Sequence, residues 1–272
     1  FDINLKGEAI HKVLTFDQPE TFSLKPSDFK GLGRAKMAVK EGDNVKAGTP
    51  LFFDRNVEDV LYTAPVSGEI VEIKRGEKRK ILEVKILADK KIEYEKFSKF
   101  DQNQIAGLHR DVIIDQLQKS GAWVYVIQRP YGIVADALTT PKSIFISAFD
   151  KSPLAPDYEF LLEGKEDDFK FGLAILKRLT LGSVHVGING DKSSSTFLDG
   201  LQIAQVTSFT GPHPSGNVGV HIHHLDPISK GDIVWTIDPI GVALIGKLFA
   251  EGIYDTSRRI AITGSEVLQP QF

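Results

Sequence analysis

The sequence has no cysteine among its 272 residues. Disulfide bonds, a thiolate nucleophile, cysteine-ligated zinc and ordinary iron–sulfur clusters are therefore excluded within this chain. It also lacks a run of about 20 apolar residues, the length that a membrane-spanning helix needs. The longest apolar stretch, residues 240–246, ends at Lys247, so we expect no transmembrane segment in this sequence.

The charge balance gives no reason to expect a nucleic-acid partner. The formal net charge is -3, and no stripe of lysine and arginine resembles a nucleic-acid-binding surface. The densest basic run, residues 75–80, lies between two strand-like segments. We interpret this run as a solvated hairpin tip, because a charge block at a turn is usually hydrated.

A β-rich region is predicted for residues 1–99, and its centre, residues 39–86, has the pattern of a lipoyl or biotinyl carrier domain. The pattern is Gly42-Asp43-x-Val45-x-x-Gly48-x-x-Leu51, a hairpin, and then Ala64-Pro65-x-x-Gly68-x-Ile70. Carriers present a modified lysine at the hairpin tip, here residues 54–59, but no lysine occurs between Lys46 and Lys74. We therefore predict a lipoyl-like barrel-sandwich hybrid module that carries no cargo.

After Lys99 the apolar spacing changes from a period of two to about 3.6, which predicts a Rossmann-like parallel α/β domain over residues 100–204. Asp101 is the predicted cap of one helix that continues to Gly121, with Ile105, Leu108 and Val112 on its apolar face. The other predicted elements are buried parallel strands at residues 123–127, 143–149 and 183–188 and a helix at residues 167–179.

Residues 205–272 are predicted to be a further β-rich segment that returns to pack on the N-terminal module. Strands are predicted at residues 205–209, 219–223 and 232–237. A helix at about 239–251 follows, with Asp238 as its N-cap, Pro239 as its first residue and Gly252 at its end.

The glycines do not form a nucleotide-binding loop. A dinucleotide fold requires G-x-G-x-x-G directly after its first strand, but here the first predicted strand is followed by Arg129-Pro130-Tyr131-Gly132. The pair Gly31 and Gly33 lies in a β context with no helix after it. Gly211 and Gly216 have P-loop spacing without the following lysine, and two prolines between them remove N–H donors.

Histidines are the most unusual feature of the sequence. His221 and His223 would point to the same face of the predicted strand, where they could chelate a metal ion, with His213 in the nearby Gly211–Gly216 turn. The alternative that we favour is a structural or interface role, with no metal bound. No G-x-S-x-G motif occurs, and we assign no catalytic residue.

A ligand site is expected at the strand ends, because open α/β sheets bind ligands beyond the carboxyl ends of their strands. This rule points to Arg129, Pro130 and Tyr131, together with Asp150 after the next strand. Tyr131 could stack on a planar ligand such as a quinone ring, and Arg129 could donate to its carbonyl. The alternative is that Arg129 forms an ion pair with Asp136 or Asp150.

Several motifs together resemble the A subunit of the sodium-translocating NADH:quinone reductase, over residues 30–270. They are Arg75-Gly76-Glu77-Lys78-Arg79, Arg129-Pro130-Tyr131, Thr140-Pro141-Lys142-Ser143-Ile144-Phe145, Ser152-Pro153-Leu154-Ala155 and Gly211-Pro212-His213-Pro214-Ser215-Gly216 with His221-Ile222-His223. The histidine motif is the most specific of them.

The resemblance implies a peripheral protein on the cytoplasmic side of a bacterial inner-membrane complex, associated with the membrane through its partners. The complex is a translocase that passes electrons from NADH through flavins and an iron–sulfur centre to a quinone (ubiquinone or menaquinone) and pumps sodium. It implies a fold similar to the flavin-binding subunit of complex I, but without the flavin loop.

We expect this chain itself to bind no cofactor, to have no activity in isolation, to dock on the membrane-embedded B subunit of the complex, and to bind quinone at Arg129, Pro130, Tyr131, Gly31 and Gly33. An assembly role without any ligand site is the alternative. From the resemblance we expect this chain to stop before the family's C-terminal ubiquitin-like and helical domains.

Overall fold

A computed structural model describes residues 11–192 and 201–262. The first ten residues of the predicted β-rich region lie outside these ranges. The described strands are β1 Thr21–Leu24, β2 Ala35–Met37, β3 Asn44–Val45, β4 Pro50–Asp54, β5 Val57–Thr63, β6 Gly68–Arg75, β7 Ile81–Ala88, β8 Ile127–Arg129, β9 Ile133–Val134, β10 Ile144–Ser147, β11 Val184–Asn189, β12 Gln205–Phe209 and β13 Val234–Thr236.

The described α-helices are α1 Gln102–Ile105, α2 Arg110–Ser120, α3 Tyr158–Leu162, α4 Glu166–Lys177, α5 Val218–Leu225 and α6 Pro239–Glu251. Single 3-10 turns lie at Pro26–Asp28, Glu77–Arg79 and Ala122–Tyr125. None of the helices in the described ranges has the length and apolarity needed to cross a bilayer.

The N-terminal module consists of two small antiparallel sheets that face each other, with strand orders β1-β7-β6-β3 and β2-β4-β5. Alternating residues of these strands point inward, and the aromatic rings of Phe29, Phe52 and Tyr62 meet in the interior at centroid distances of 4.7 to 6.1 Å. Phe52 and Ile70 are fully buried. This arrangement confirms the predicted barrel-sandwich hybrid.

The hairpin tip of this module has the composition predicted for it. The turn between β4 and β5 consists of Arg55 and Asn56, and neither residue can carry a lipoyl or biotinyl group. Asp54 lies at the base of the turn, buried, where its carboxylate accepts hydrogen bonds from the backbone N–H groups of Gly33 at 2.6 Å and Asn56 at 2.9 Å. The tip is thus closed by hydrogen bonds within the module.

The second sheet has six strands in the order β12-β11-β10-β13-β8-β9. Strands β12, β11, β10 and β13 are parallel, as expected for a Rossmann-like domain, whereas β8 runs antiparallel to β13 and β9 runs antiparallel to β8. The prediction of a buried parallel strand at residues 123–127 is therefore wrong. Ala122–Tyr125 is a 3-10 turn that buries Trp123 edge-on against Trp235, and the strand starts only at Ile127.

The single helix predicted after Asp101 is divided into α1 and α2. Asp101 does cap α1, through a capping box with Gln104. The chain then turns at Gly107 and starts again as α2, which ends at Gly121 with φ 87°. Because of this break Val112 faces solvent instead of the apolar face that the spacing predicted.

The C-terminal residues complete the same sheet. Strands β12 and β13 lie on the two sides of the β10–β11 pair, so the predicted boundary at residue 204 falls within one sheet. Helix α6 has the predicted cap, since the Asp238 carboxylate accepts from the N–H of Gly241 at 2.7 Å. After α6 the chain meets the N-terminal module, where the Thr256 hydroxyl donates to the Pro65 carbonyl at 3.4 Å.

Candidate functional site

The two ends of the parallel strands define two separate edges of the six-stranded sheet, which we call the amino edge and the carboxyl edge. Arg129 ends β8, but β8 is antiparallel and Arg129 pairs with Val234, the first residue of β13. Arg129, Pro130 and Tyr131 therefore lie at the amino edge. Asp150 follows β10 and lies at the carboxyl edge, so the predicted grouping of Asp150 with these residues is wrong.

At the amino edge, Arg129 makes no ion pair in the described part of the chain. Its Nε is buried and has no hydrogen-bond partner among these residues. The carboxylate of Asp136 accepts from the N–H of Leu138 at 2.9 Å, and that of Asp150 accepts from the N–H of Ser152 at 2.7 Å. Neither predicted ion pair of Arg129 is therefore formed.

Tyr131 lies at the tip of the β8–β9 turn and is 80% exposed. The turn is closed by a hydrogen bond from the N–H of Gly132 to the carbonyl of Gln128 at 2.8 Å. Pro130, also exposed, follows a cis peptide bond from Arg129. The phenol ring is thus available to a molecule approaching from solvent.

The N-terminal module contributes to this same place. Gly31 has φ 84°, and a Cβ atom there would lie 3.2 Å from the Cβ of Ile133 in β9. Only a residue without a side chain combines this backbone conformation with this close approach. Gly33 instead donates its N–H to Asp54 at 2.6 Å. The structure therefore brings the Gly31 segment beside the β8–β9 hairpin, while Gly33 faces its own module.

The carboxyl edge contains the histidine motif. The turn from Gly211 to Gly216 is held by hydroxyl and ammonium donors: Ser147 to the Gly216 carbonyl at 2.7 Å, and Lys151 to the Gly211 carbonyl at 2.6 Å. Lys151 also forms an ion pair with Asp191 after β11. Nδ1 of His213 lies 3.5 Å from the Ser152 hydroxyl. These contacts join the loops that follow the parallel strands β10, β11 and β12.

His221 is a core residue of this edge. The predicted strand at residues 219–223 is wrong, because these residues belong to helix α5. The fully buried imidazole stacks on Phe209 at a centroid distance of 4.0 Å, and its Nε2 donates to the Ser215 carbonyl at 2.8 Å. Gly187 leaves room for the ring, since a Cβ there would lie 2.3 Å from it. Burial lowers the pKa of His221.

His223 does not share the surroundings of His221. On a helix, residues two positions apart point in different directions, so His223 does not face the interior as His221 does. His223 is exposed, and its ring lies 5.2 Å from that of His224. Within the described residues no group of three or more histidine, aspartate or glutamate side chains is placed to hold a metal ion. The two histidines therefore cannot chelate one ion together, and a structural role accounts for His221.

His185 is a buried residue that the sequence reasoning did not single out. It lies within β11, stacks on Phe145 at 4.6 Å, and has a pKa lowered by burial. Its position between Val184 and Val186 in an apolar strand was the sequence feature that indicated a buried histidine. Nδ1 of His185 and Nδ1 of His221 are both buried without a hydrogen-bond partner among the described residues.

Two family models match the chain. Residues 1–89 match the NqrA N-terminal barrel-sandwich hybrid domain, and residues 108–254 match the NqrA second alpha/beta domain. These matches cover the two sheets described above.

Similar proteins bear the name of the A subunit of the Na(+)-translocating NADH-quinone reductase. The one from Alcanivorax borkumensis is 36% identical over 271 residues, 99% of this chain and 60% of its own length. The one from Marinomonas sp. is 36% identical over 272 residues, 99% of this chain and 59% of its own length. That of Yersinia pestis is 37% identical over 268 residues, 97% of this chain and 56% of its own length.

The chain thus spans somewhat over half the length of these relatives. Both sheets of the described fold fall within a matched domain model, and the identity extends over nearly the whole chain. The chain belongs to the family formed by the A subunits of the Na(+)-translocating NADH-quinone reductase.

Proposed function

We propose that this chain is a non-redox, peripheral component of a sodium-translocating NADH:quinone reductase, on the cytoplasmic side of the bacterial inner membrane. The name of its relatives supports membership of the complex. NADH, flavins and the iron–sulfur centre belong to partner subunits in this proposal. The lack of cysteine supports that assignment for the cluster, because its usual thiolate ligands cannot come from these 272 residues.

Quinone binding is proposed at the amino edge, where the Gly31 segment packs against the β8–β9 hairpin. The observation that carries this proposal is the Arg129 Nε, which is buried and has no partner among the described residues. A buried donor without an acceptor is costly, and a quinone carbonyl would supply the acceptor. Tyr131 provides a ring for stacking, and Pro130 supports its turn.

A titration with a short-tailed ubiquinone analogue, followed by calorimetry, tests this site. We expect saturable binding that weakens by about tenfold or more in Arg129→Gln, because a hydrogen bond to a charged donor contributes roughly 1.5 to 3 kcal/mol. Arg178→Gln is the matched control, since Arg178 already donates to the Leu108 carbonyl at 3.2 Å. Absence of saturable binding by the unmodified chain would refute the quinone site.

An assembly role without a ligand site is the second candidate, and the exposure of Tyr131 favours it. Ligand pockets usually enclose most of a small molecule, whereas Tyr131 is 80% exposed on a hairpin tip. Exposed aromatic side chains of this kind are common at the centre of protein interfaces.

Capture of the chain by the membrane-embedded B subunit separates the two candidates. If Tyr131→Ala abolishes capture while the calorimetric titration with quinone stays featureless, the assembly role is correct. If quinone binds and Tyr131→Ala retains capture, the ligand site is correct. His223→Ala tests the exposed histidine as a docking contact, because it changes the surface and leaves the buried His221 in place.

A further inference from the structure

The amino edge also carries two leucines that project into solvent. Leu138 is 93% exposed and Leu181 is 96% exposed, the highest values for large apolar side chains in the described ranges. Leu138 belongs to the segment that leads into β10, and Leu181 to the loop that leads into β11, and these two strands are neighbours in the sheet. Single exposed apolar side chains are common on protein surfaces, but these two are held at one edge of the sheet, where a partner could bury both of them.

The two loops are fastened to each other and to the helix beneath them. Arg110 of α2 donates through Nη2 to the carbonyls of Ala137 at 3.3 Å and Thr139 at 2.6 Å, on both sides of Leu138. Its Nε donates to the carbonyl of Leu179 at 3.5 Å, two residues before Leu181. Both leucine-bearing loops are therefore held by hydrogen bonds from the same arginine.

A second hydrogen bond joins the loops directly. The hydroxyl of Thr180 donates to the Pro141 carbonyl at 2.8 Å. Gly182 packs so closely that a Cβ atom there would lie 1.9 Å from the Lys142 carbonyl oxygen. The loops are thus held in place on both sides of the exposed leucines, and little ordering entropy remains to be lost on binding.

Three cationic side chains near the leucines bind backbone carbonyls. Lys177 donates to the Gly182 carbonyl at 2.7 Å, Arg178 donates to the Leu108 carbonyl at 3.2 Å, and Arg110 donates to the three carbonyls given above. None of these three side chains forms an ion pair with a carboxylate in the described part of the chain. At the same edge Asp136 accepts from the N–H of Leu138 at 2.9 Å, and Lys142 is paired with Asp226 and Asp232. Lys177 and Arg178 are therefore the cations that this edge offers to an anionic surface.

We propose that the Leu138 and Leu181 loops contact the anionic surface of a lipid bilayer directly. A stable protein interface needs about 800 Å² of complementary surface on each partner, which two isolated leucines at loop tips do not provide. A bilayer accepts isolated apolar side chains without shape complementarity, and its acidic headgroups attract nearby lysine and arginine. This contact goes beyond association through partner subunits and does not depend on quinone binding.

Co-sedimentation of the 272-residue chain with vesicles tests the contact. We expect binding to vesicles of phosphatidylglycerol mixed with phosphatidylcholine, weaker binding to phosphatidylcholine alone, and loss of binding as sodium chloride is raised, because salt screens surface charge. The Leu138→Ser/Leu181→Ser variant should bind about tenfold or more weakly, since two apolar side chains no longer enter the interface.

The matched control is Val57→Ser/Leu154→Ser, which removes two other exposed apolar side chains that lie outside the Leu138 and Leu181 loops. It should bind vesicles like the unmodified chain. Absence of binding to anionic vesicles at low salt, or equal binding by both double variants, would overturn the proposal. If the Leu138→Ser/Leu181→Ser variant is unchanged on vesicles but is no longer captured by the membrane-embedded B subunit, the leucines contact protein instead of lipid.

Discussion

At the scale of single residues, His221 stabilises the fold of the carboxyl edge. Its ring fills the space between Phe209 and Phe149 and donates to the carbonyl of the histidine turn. We expect His221→Ala to lower the free energy of unfolding by about 2 to 4 kcal/mol, since it leaves a cavity and an unpaired carbonyl. His223→Ala, at an exposed position, should change it by less than about 0.5 kcal/mol. Urea denaturation measures both, and equal losses would contradict this account.

The two buried histidines also make stability depend on pH. Burial lowers the folded-state pKa of His185 and His221 below the ordinary value of 6.5. As the pH falls below 6.5, these histidines take up protons more readily in the unfolded chain than in the folded chain. The stability that they contribute in their neutral form is therefore fully present above pH 6.5 and is lost as the pH falls below it. Urea midpoints measured on both sides of pH 6.5 should show this loss. His221→Phe should reduce it, and an unchanged pH slope in that variant would exclude His221 as a contributor.

At the scale of elements, α4 and α6 pack backbone against backbone. A Cβ atom on Gly246 would lie 1.7 Å from the Asp168 carbonyl oxygen, so the helices can approach this closely only at glycine. We expect Gly246→Ala to destabilise the protein by about 1 to 3 kcal/mol through overpacking, although alanine has the higher helix propensity. Gly107→Ala is the control, because its Cβ would meet only the Gln104 carbonyl at 3.7 Å. Thermal unfolding distinguishes them, and a stable Gly246→Ala would show that the helices can separate.

The elements that could be predicted are those specified by local chemistry. Helix α6 has its cap, its first-turn proline and its closing glycine within the sequence, and the carrier-like strands have alternating apolar residues bounded by turns. Helix α5 could not be predicted in this way, because the residues of Val218–Leu225 also alternate, and tertiary packing of His221 decides between the two periods. The antiparallel direction of β8 could not be predicted either, because a continuous apolar run is equally compatible with a parallel and an antiparallel strand. That one error placed Arg129 at the wrong edge.

At the scale of the whole molecule, the two sheets share one continuous apolar core, which extends from Val45 in the N-terminal module to Tyr254. The Thr63 hydroxyl of β5 donates to the Ser120 carbonyl at the end of α2, at 2.8 Å and fully buried. The Tyr254 hydroxyl donates to the next carbonyl, that of Gly121, at 3.4 Å. The end of α2 is thus one polar contact between the modules, made by Thr63, and Tyr254 binds the adjacent carbonyl from within the second module.

We therefore expect the chain to unfold in one cooperative transition, and Thr63→Val to weaken the whole molecule. Loss of the donor leaves the buried Ser120 carbonyl unpaired, which costs about 1 to 3 kcal/mol, and the cost should appear equally in both modules because they share one core. Hydrogen exchange followed by mass spectrometry can compare β6 and β7 with β10 and β11, and Thr21→Val on the sheet edge is the control. Loss of protection confined to the N-terminal strands would show that the modules unfold independently.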